Sequence, residues 1–286
     1  MLPELLAKDA RLLPKFGDVA ADKLKGVVAA KSFVSGERMQ VASGNAGLRR
    51  QPDAAAEQVN QALYGEGFTV YLREEGWAWG QLDTDGYVGC MREADLVSRG
   101  PEPTHRVSAL RSFIFAHPNL KAQPLAAVSM NALLALGEEK DGFAQVLGSG
   151  WIFLKHVSLL GDFEKDFVAV AERFVGSPYL WGGRESAGID CSGLVQVSLQ
   201  ATGKSPLRDS DMQERTLGEE VYTDARFSNL KRGDLIFWKG HVGMMASPSL
   251  LLHASAYRME VEIEPLAEAV ARIRPIAGEV RSVRRL

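Results

Sequence analysis

Hydrophobic and polar positions alternate through Phe68-Thr69-Val70-Tyr71-Leu72, and the alternation returns in Trp77-Ala78-Trp79-Gly80-Gln81-Leu82. Successive side chains of a strand point to opposite faces, so each run predicts a half-buried strand. Glu74-Glu75-Gly76 turns the chain between them, and Asp85-Gly86-Tyr87-Val88-Gly89 leads into another strand. Several short strands so close together predict a small all-β barrel over residues 41–100. The turns repeat further on. Asn131 to Leu136 is an apolar run like Phe68 to Leu72, Asp141-Gly142-Phe143-Ala144 answers Glu75-Gly76-Trp77-Ala78, and Gly150-Trp151-Ile152 answers Gly86-Tyr87-Val88. That spacing predicts a second barrel of the same kind over residues 101–161. The join, Gly100-Pro101-Glu102-Pro103, has linker composition. Ahead of both, residues 1–40 read as a polar, helix-leaning arm with a loose apolar pattern at Leu12, Leu13, Phe16, Val19, Leu24, Val27 and Val28.

The pattern changes after residue 161. Asp162 is placed to cap a helix whose Phe163, Phe167, Val170 and Phe174 form one stripe, and Gly176-Ser177-Pro178 ends it. Beyond a Gly-rich loop, Cys191 opens an apolar run, Leu194-Val195-Gln196-Val197-Ser198-Leu199, that stops at Gly203. Asp209 or Ser210 can cap another short helix. Arg232-Gly233-Asp234 turns into the apolar strand Leu235-Ile236-Phe237-Trp238. Two short histidine-bearing runs follow, then Val261-Glu262-Ile263, and Pro265 sits well at the first turn of a last helix bearing Leu266, Val270 and Ile273 on one face. Helices first and strands afterwards describe an α+β domain over residues 162–286.

A thiol on the first turn of a helix meets free N–H groups and the positive end of the helix dipole, which favour the nucleophilic thiolate near neutral pH. Cys191 is therefore a candidate nucleophile, beside the plainer reading of a small buried residue. The chain has five histidines, and two follow the cysteine: His241 in Gly240-His241-Val242-Gly243 and His253 in Leu252-His253-Ala254. A thiol facing imidazoles on neighbouring strands is what a cysteine acyl-transfer enzyme needs, namely nucleophile, general base and a group that orients the base. Asp190 is placed as the cap of the same helix.

Composition narrows the partners. A net charge of −3 argues against nucleic acid and against a membrane surface that needs a basic field. Residues 1–9 lack the basic and apolar regions of a secretory signal, and no stretch is long and apolar enough to span a bilayer, so the expected compartment is the cytoplasm. A monomer is the simplest expectation. The two cysteines, Cys90 and Cys191, lie far apart and fit a reduced environment, with Cys90 read as apolar filler. His105, His117 and His156 have no carboxylate or cysteine at metal-ligand spacing, so neither a metal nor another cofactor is expected.

Five motifs occur in order: Pro178-Tyr179-Leu180-Trp181-Gly182-Gly183, Asp190-Cys191-Ser192-Gly193-Leu194, Arg232-Gly233-Asp234-Leu235, Gly240-His241-Val242-Gly243 and Leu252-His253-Ala254. Together they resemble the NlpC-type bacterial cell-wall cysteine peptidases, which are papain-like. The Gly-x-Gly-x-Trp spacing and the Asp85 to Gly89 turn resemble the bacterial Src-homology-3-like barrels that often precede such domains, although Cys90 stands where these barrels often carry tryptophan. The resemblance implies Cys191 as nucleophile, His241 as base and His253 as the orienting member, with Tyr179 lining the site as a second oxyanion donor after the Cys191 N–H. It implies that Asp190 binds the free amine of an N-terminal L-alanine, that Ser192 and Ser210 touch substrate, and that Tyr87 of the first barrel forms a side wall. The expected reaction is hydrolysis of the γ-D-glutamyl to L-diamino-acid bond in murein-derived peptides during wall recycling. An amidase or acyltransferase on the same fold, or a non-catalytic wall-peptide binder, are the alternatives.

Overall fold

Two-residue turns with both central residues at positive φ match the twist of antiparallel strands, and this chain uses the same turn twice. Glu75 (φ 46°) and Gly76 (φ 79°) join strands Gly67–Glu74 and Trp77–Leu82, while Asp141 (φ 51°) and Gly142 (φ 78°) join Leu136–Lys140 and Phe143–Val146. A computed structural model describes residues 9–286, which fall into two units that part between Asp162 and Phe163.

The first unit contains both predicted strand regions. Its larger sheet runs Leu96–Ser98, Glu37–Val41, Gly67–Glu74, Trp77–Leu82, Val88–Arg92, Asn45–Arg49 and Gln58–Leu63, so its first strands straddle the predicted start at residue 41. The later residues form a three-stranded sheet, Leu133–Leu134, His105–Val107 and Val157–Leu159, and a five-stranded one around Arg111–Phe115 and Trp151–Phe153. Among the described residues no sheet closes on itself, so the expected closure into two barrels is corrected to open sheets. Irregularities between Val70 and Leu72 and between Leu48 and Arg49 break the ladders, and bulges bend strands and end pairing. The two strand regions share a core. Leu63 packs with Val107, Ile114, Val128, Leu134 and Ile152, and the Leu133 amide donates to the Tyr64 carbonyl at 2.8 Å.

The helix-leaning arm is also corrected. Its residues 1–8 lie outside the described residues, and the remainder forms short strands at Lys15–Phe16, Val19–Ala21 and Ser32–Val34 with one 3-10 turn at Asp22–Leu24. Pro14 and Gly17 interrupt any helix, and the apolar positions go into packing instead, with Phe16 stacked on Trp79 at 5.5 Å between ring centroids. Cys90 lies buried beside Trp77 and Trp79, where burial pushes its thiol up to about 11.

The second unit is a six-stranded antiparallel sheet with four helices. In chain order these are α1 (Phe167–Glu172), α2 (Cys191–Ala201), α3 (Ser210–Thr216), β1 (Leu235–Trp238), β2 (His241–Met245), β3 (Leu250–Ser255), β4 (Glu260–Pro265), α4 (Leu266–Ala277) and β5 (Ser282–Arg285). The sheet order is Glu219–Glu220, β5, β1, β2, β3, β4. The cap of α1 is Asp166 and not Asp162: its carboxylate accepts from the amides of Val168 (2.9 Å) and Ala169 (3.2 Å). Phe163, the supposed first member of the stripe, is exposed, so the apolar period starts a turn later than the sequence suggests. Every residue of α2 from Cys191 to Leu199 is buried, the signature of a helix enclosed on all sides. α4 packs Leu266, Ala269, Val270 and Ile273 on Ile236, Trp238, Met245 and Leu251.

The Arg232-Gly233-Asp234 motif ties this unit together. Arg232 bridges Asp166 and Glu172 at the two ends of α1, and the fully buried Asp234 accepts from Arg285 of β5 at 2.6 and 2.7 Å.

Candidate active site

The loop before α2 and the first turn of α2 approach backbone to backbone. A Cβ on Gly193 would overlap the Gly183 carbonyl oxygen, and a Cβ on Gly183 would overlap that of Gly188. Glycine is the side chain that fits, which explains why the Trp-Gly-Gly and Cys-Ser-Gly segments occur together.

Asp190 caps α2. One carboxylate oxygen accepts from the Gly193 amide at 2.7 Å and the other from the Gly182 amide at 2.8 Å. Arg208 donates to both, at 2.9 and 2.6 Å, and also reaches the Ser192 hydroxyl at 2.9 Å. Asp190 and Ser192 are each 6% exposed and Arg208 is 1% exposed, so this is a buried, bidentate ion pair. Gln213 of α3 closes the arrangement by donating to the carbonyls of Ser192 and Leu207, both at 2.9 Å. Ser210, the first residue of α3, lies two positions beyond Arg208 in the chain and is half-buried.

Cys191 follows at the helix start, buried, with the Val242 amide donating to its sulfur. Burial pushes its thiol up to about 12, and the Asp190 charge adds to this, against smaller opposing effects from the Val242 and Ser192 amides and from Arg208. His241 moves the other way. Enclosure of its ring, with the charges of His253 and Arg272, holds it down to about 3 despite Glu264. Burial thus works against the charged form of each group, opposing the thiolate that the helix start favours.

His241 is the first residue of β2, just past the Lys239-Gly240 hairpin, and its ring lies 5.6 Å from that of Trp238. Its Nε2 is 2.8 Å from Nδ1 of His253, which is 2% exposed on β3. The far nitrogen of His253 is 2.8 Å from a Glu264 oxygen on β4, and Arg272 of α4 bonds the same oxygen. Glu262 is 3.9 Å from His253. His253, Glu262 and Glu264 bring three potential metal donors within 4.8 Å, and the Arg272 guanidinium bonds Glu264 and lies 4.0 Å from Glu262.

Tyr179 is half-buried, and its amide donates to the Met259 carbonyl at 2.9 Å. Burial first, then the charges of Cys191 and Asp190, raise its hydroxyl above the ordinary tyrosine range, so it remains a donor. Tyr179, Trp181, Lys239, His241, His253 and Ile276 are among the residues lining a cleft of about 240 Å³. Tyr87 belongs to the other unit, where it is buried and its amide donates to Asp85 at 3.0 Å.

The structure thus gathers Tyr179, Asp190, Cys191 and Ser192 around the start of α2, and His241 and His253 on adjacent strands. The sequence reading missed Arg208, Glu264 and Arg272. Alternation along β4 was the available signal, since it puts Glu262 and Glu264 on one face beside His253.

Residues 176–276 match the NlpC/P60 family, and residues 48–96 match the bacterial dipeptidyl-peptidase Sh3 domain. The chain carries an NlpC/P60 domain behind a bacterial SH3 domain. The NlpC/P60 peptidases are cysteine hydrolases. Dipeptidyl-peptidase 6 of Lysinibacillus sphaericus is 25% identical over 248 residues, covering 78% of this chain and 89% of that protein. The gamma-D-glutamyl-L-lysine dipeptidyl-peptidase of Bacillus subtilis is 27% identical over 231 residues, covering 73% of this chain and 76% of the relative. The crystal structure of an NlpC/P60 family protein from Bacillus cereus shares the fold, with a TM-score of 0.73 at 23% identity over 87% of this chain and 99% of that one.

Two outcomes follow for the NlpC/P60 domain. Replacing Arg208 by Met leaves Asp190 a buried charge without its cation, and should lower unfolding stability by about 3–5 kcal/mol in urea titrations. Alkylation of Cys191 by iodoacetamide should accelerate about tenfold per pH unit from pH 6 to 9, because the thiolate fraction grows by that factor below the thiol pKa. A rate plateau near pH 7 would show a thiolate already present.

Proposed function

We propose that this protein is a cysteine endopeptidase that hydrolyses the γ-D-glutamyl to L-diamino-acid bond of peptidoglycan stem peptides, acting on free peptides with an unblocked N-terminal L-alanine. The observation that carries the reading is the buried Cys191 thiol at the start of α2, set against the β2 strand that His241 begins and backed by His253. The names of the Bacillus relatives support the bond type, gamma-D-glutamyl-L-lysine in both Bacillus subtilis and Bacillus cereus.

In this mechanism the sulfur attacks the γ-carbonyl carbon while His241 takes the thiol proton. The Cys191 N–H and the Tyr179 hydroxyl donate to the oxyanion. The protonated His241 then delivers its proton to the departing amine as the C–N bond breaks, leaving a thioester. Water, deprotonated by His241, adds to the thioester and releases the acid and the thiol. A neutral resting pair suits this sequence, because the proton moves as the new bond forms and no isolated buried charge precedes it.

Asp190, Ser192 and Ser210 complete the reading as substrate contacts. Asp190 has to serve an ammonium while bonded to Arg208, and a neutralised carboxylate holds a cation less tightly than a lone one. Amine selectivity is therefore modest. We also read residues 101–161 as a second bacterial Src-homology-3-like unit, supported by the paired turns at Glu75-Gly76 and Asp141-Gly142. The reading takes the protein as a cytoplasmic monomer that recycles wall fragments. Among the described residues, no helix is long and apolar enough to cross a membrane.

Mass spectrometry of L-Ala-γ-D-Glu-meso-diaminopimelate, beside its N-acetylated form, tests the reading. Wild type should release L-Ala-D-Glu, Cys191→Ala should release none, and the acetylated peptide should show kcat/KM about tenfold lower. Equal cleavage of both peptides would remove the amine preference, cleavage of polymeric peptidoglycan alone would remove the recycling role, and another product would point to an amidase or acyltransferase.

A further inference from the structure

The three antiparallel strands β2, β3 and β4 carry His241, His253 and Glu264 in a diagonal row. Met244 faces Leu252 across the first pair of strands, and His253 faces Glu262 across the second, with Glu264 two positions along from Glu262. Residues two apart on a strand share a face, so the row lies on one side of the sheet. Arg272 reaches Glu264 from α4 and lies over the Tyr257 ring, 4.8 Å from its centroid. Glu262 and Arg258 complete the charged groups around it, with Arg258 3.7 Å from Glu262.

Each contact in the row constrains the next. Glu264 is the terminal acceptor: burial raises its carboxyl, but hydrogen bonds from His253 and Arg272 and the Arg272 charge overcome this and keep it ionised. An ionised carboxylate only accepts, so His253 must donate through Nε2, and a neutral His253 then has a bare Nδ1. That nitrogen lies 2.8 Å from His241 Nε2, so Nε2 must carry the proton and donate. A neutral His241 is left with its lone pair on Nδ1. Reversing the end of the row would reverse every tautomer in it and put a proton on the nitrogen that has to accept one from Cys191.

We propose that Glu264, held in place by Arg272, is a positioning residue that fixes both histidine tautomers and so presents a bare Nδ1 of His241 to the Cys191 thiol. Its effect on rate rests on the cysteine-peptidase reading above; the tautomers themselves do not. Glu264 touches no substrate and acts through two intervening rings.

Histidine 15N NMR on the full chain reads the tautomers directly. Wild type should show a protonated Nε2 and a bare Nδ1 for both His241 and His253. Glu264→Gln keeps an oxygen acceptor beside Arg272 and should retain most of that pattern. The pair Glu264→Met with Arg272→Met removes acceptor and cation together, avoids a stranded charge, and should give mixed tautomers at both rings. With L-Ala-γ-D-Glu-meso-diaminopimelate, the double variant should lose about ten- to a hundredfold in kcat with KM changed by less than about twofold, and Glu264→Gln should lie between it and wild type. An unchanged 15N pattern in the folded double variant would overturn the proposal, as would mixed tautomers already present in wild type. Wild type with the expected tautomers but no cleavage of the peptide would instead overturn the enzyme reading and leave the tautomer assignment standing.

Discussion

The ion pair between Asp190 and Arg208 is the contact on which the rest of the site depends. It joins three chain segments: the Gly182-Gly183 loop, the first turn of α2 and the stretch that enters α3. Such a pair costs desolvation of both ions, and it persists only where geometry and extra hydrogen bonds compensate. Here the geometry is bidentate, two backbone amides and the Ser192 hydroxyl fill the remaining acceptor positions, and Gln213 holds the carbonyls around Arg208. The reward is position. Cys191 is covalently next to Asp190, so whatever fixes the cap fixes the proposed nucleophile.

The same pair shapes the chemistry. Asp190 disfavours a thiolate on its neighbour and Arg208 offsets part of that, leaving burial as the dominant influence on the sulfur. With burial working against both charged forms, the proposed mechanism depends on hydrogen-bond direction more than on charge attraction between sulfur and imidazole. A base is then useful only with its lone pair on the correct nitrogen. In the proposed arrangement the row from His241 through His253 to Glu264 supplies that direction from the far end of the row, on β4.

What could be read from the chain alone follows a physical division. Cys191, His241 and His253 stand beside glycines or inside short apolar runs, so their local context marks both the element and the position within it. Glu75-Gly76 and Asp141-Gly142 were visible for the same reason, because positive φ leaves a local residue signature. Arg208 and Glu264 have no such signature: their roles come from partners reached through folding, Asp190 for one and His253 and Arg272 for the other. The helix start was misplaced from Asp166 to Asp162 because Phe163 fits the apolar period but stays in solvent. Barrel closure failed as an expectation because it depends on whether outer strands meet, which alternation within a strand does not encode.

The helix start itself illustrates how magnitudes decide between two sound local arguments. Free N–H groups and the dipole at an α-helix N-terminus favour an anion by about 0.3–1 kcal/mol, reaching about 2 in partly buried sites. Removing a charge from water costs several kcal/mol even after the protein relaxes. Helix-start cysteines become thiolates where solvent or a cation shares that cost. In this chain the nearest cation, Arg208, is already committed to Asp190, and α2 is buried on every side from Cys191 to Leu199. Burial therefore outweighs the dipole at Cys191, and in the proposed mechanism the thiolate is made during the reaction by a base of defined tautomer instead of being stored in advance.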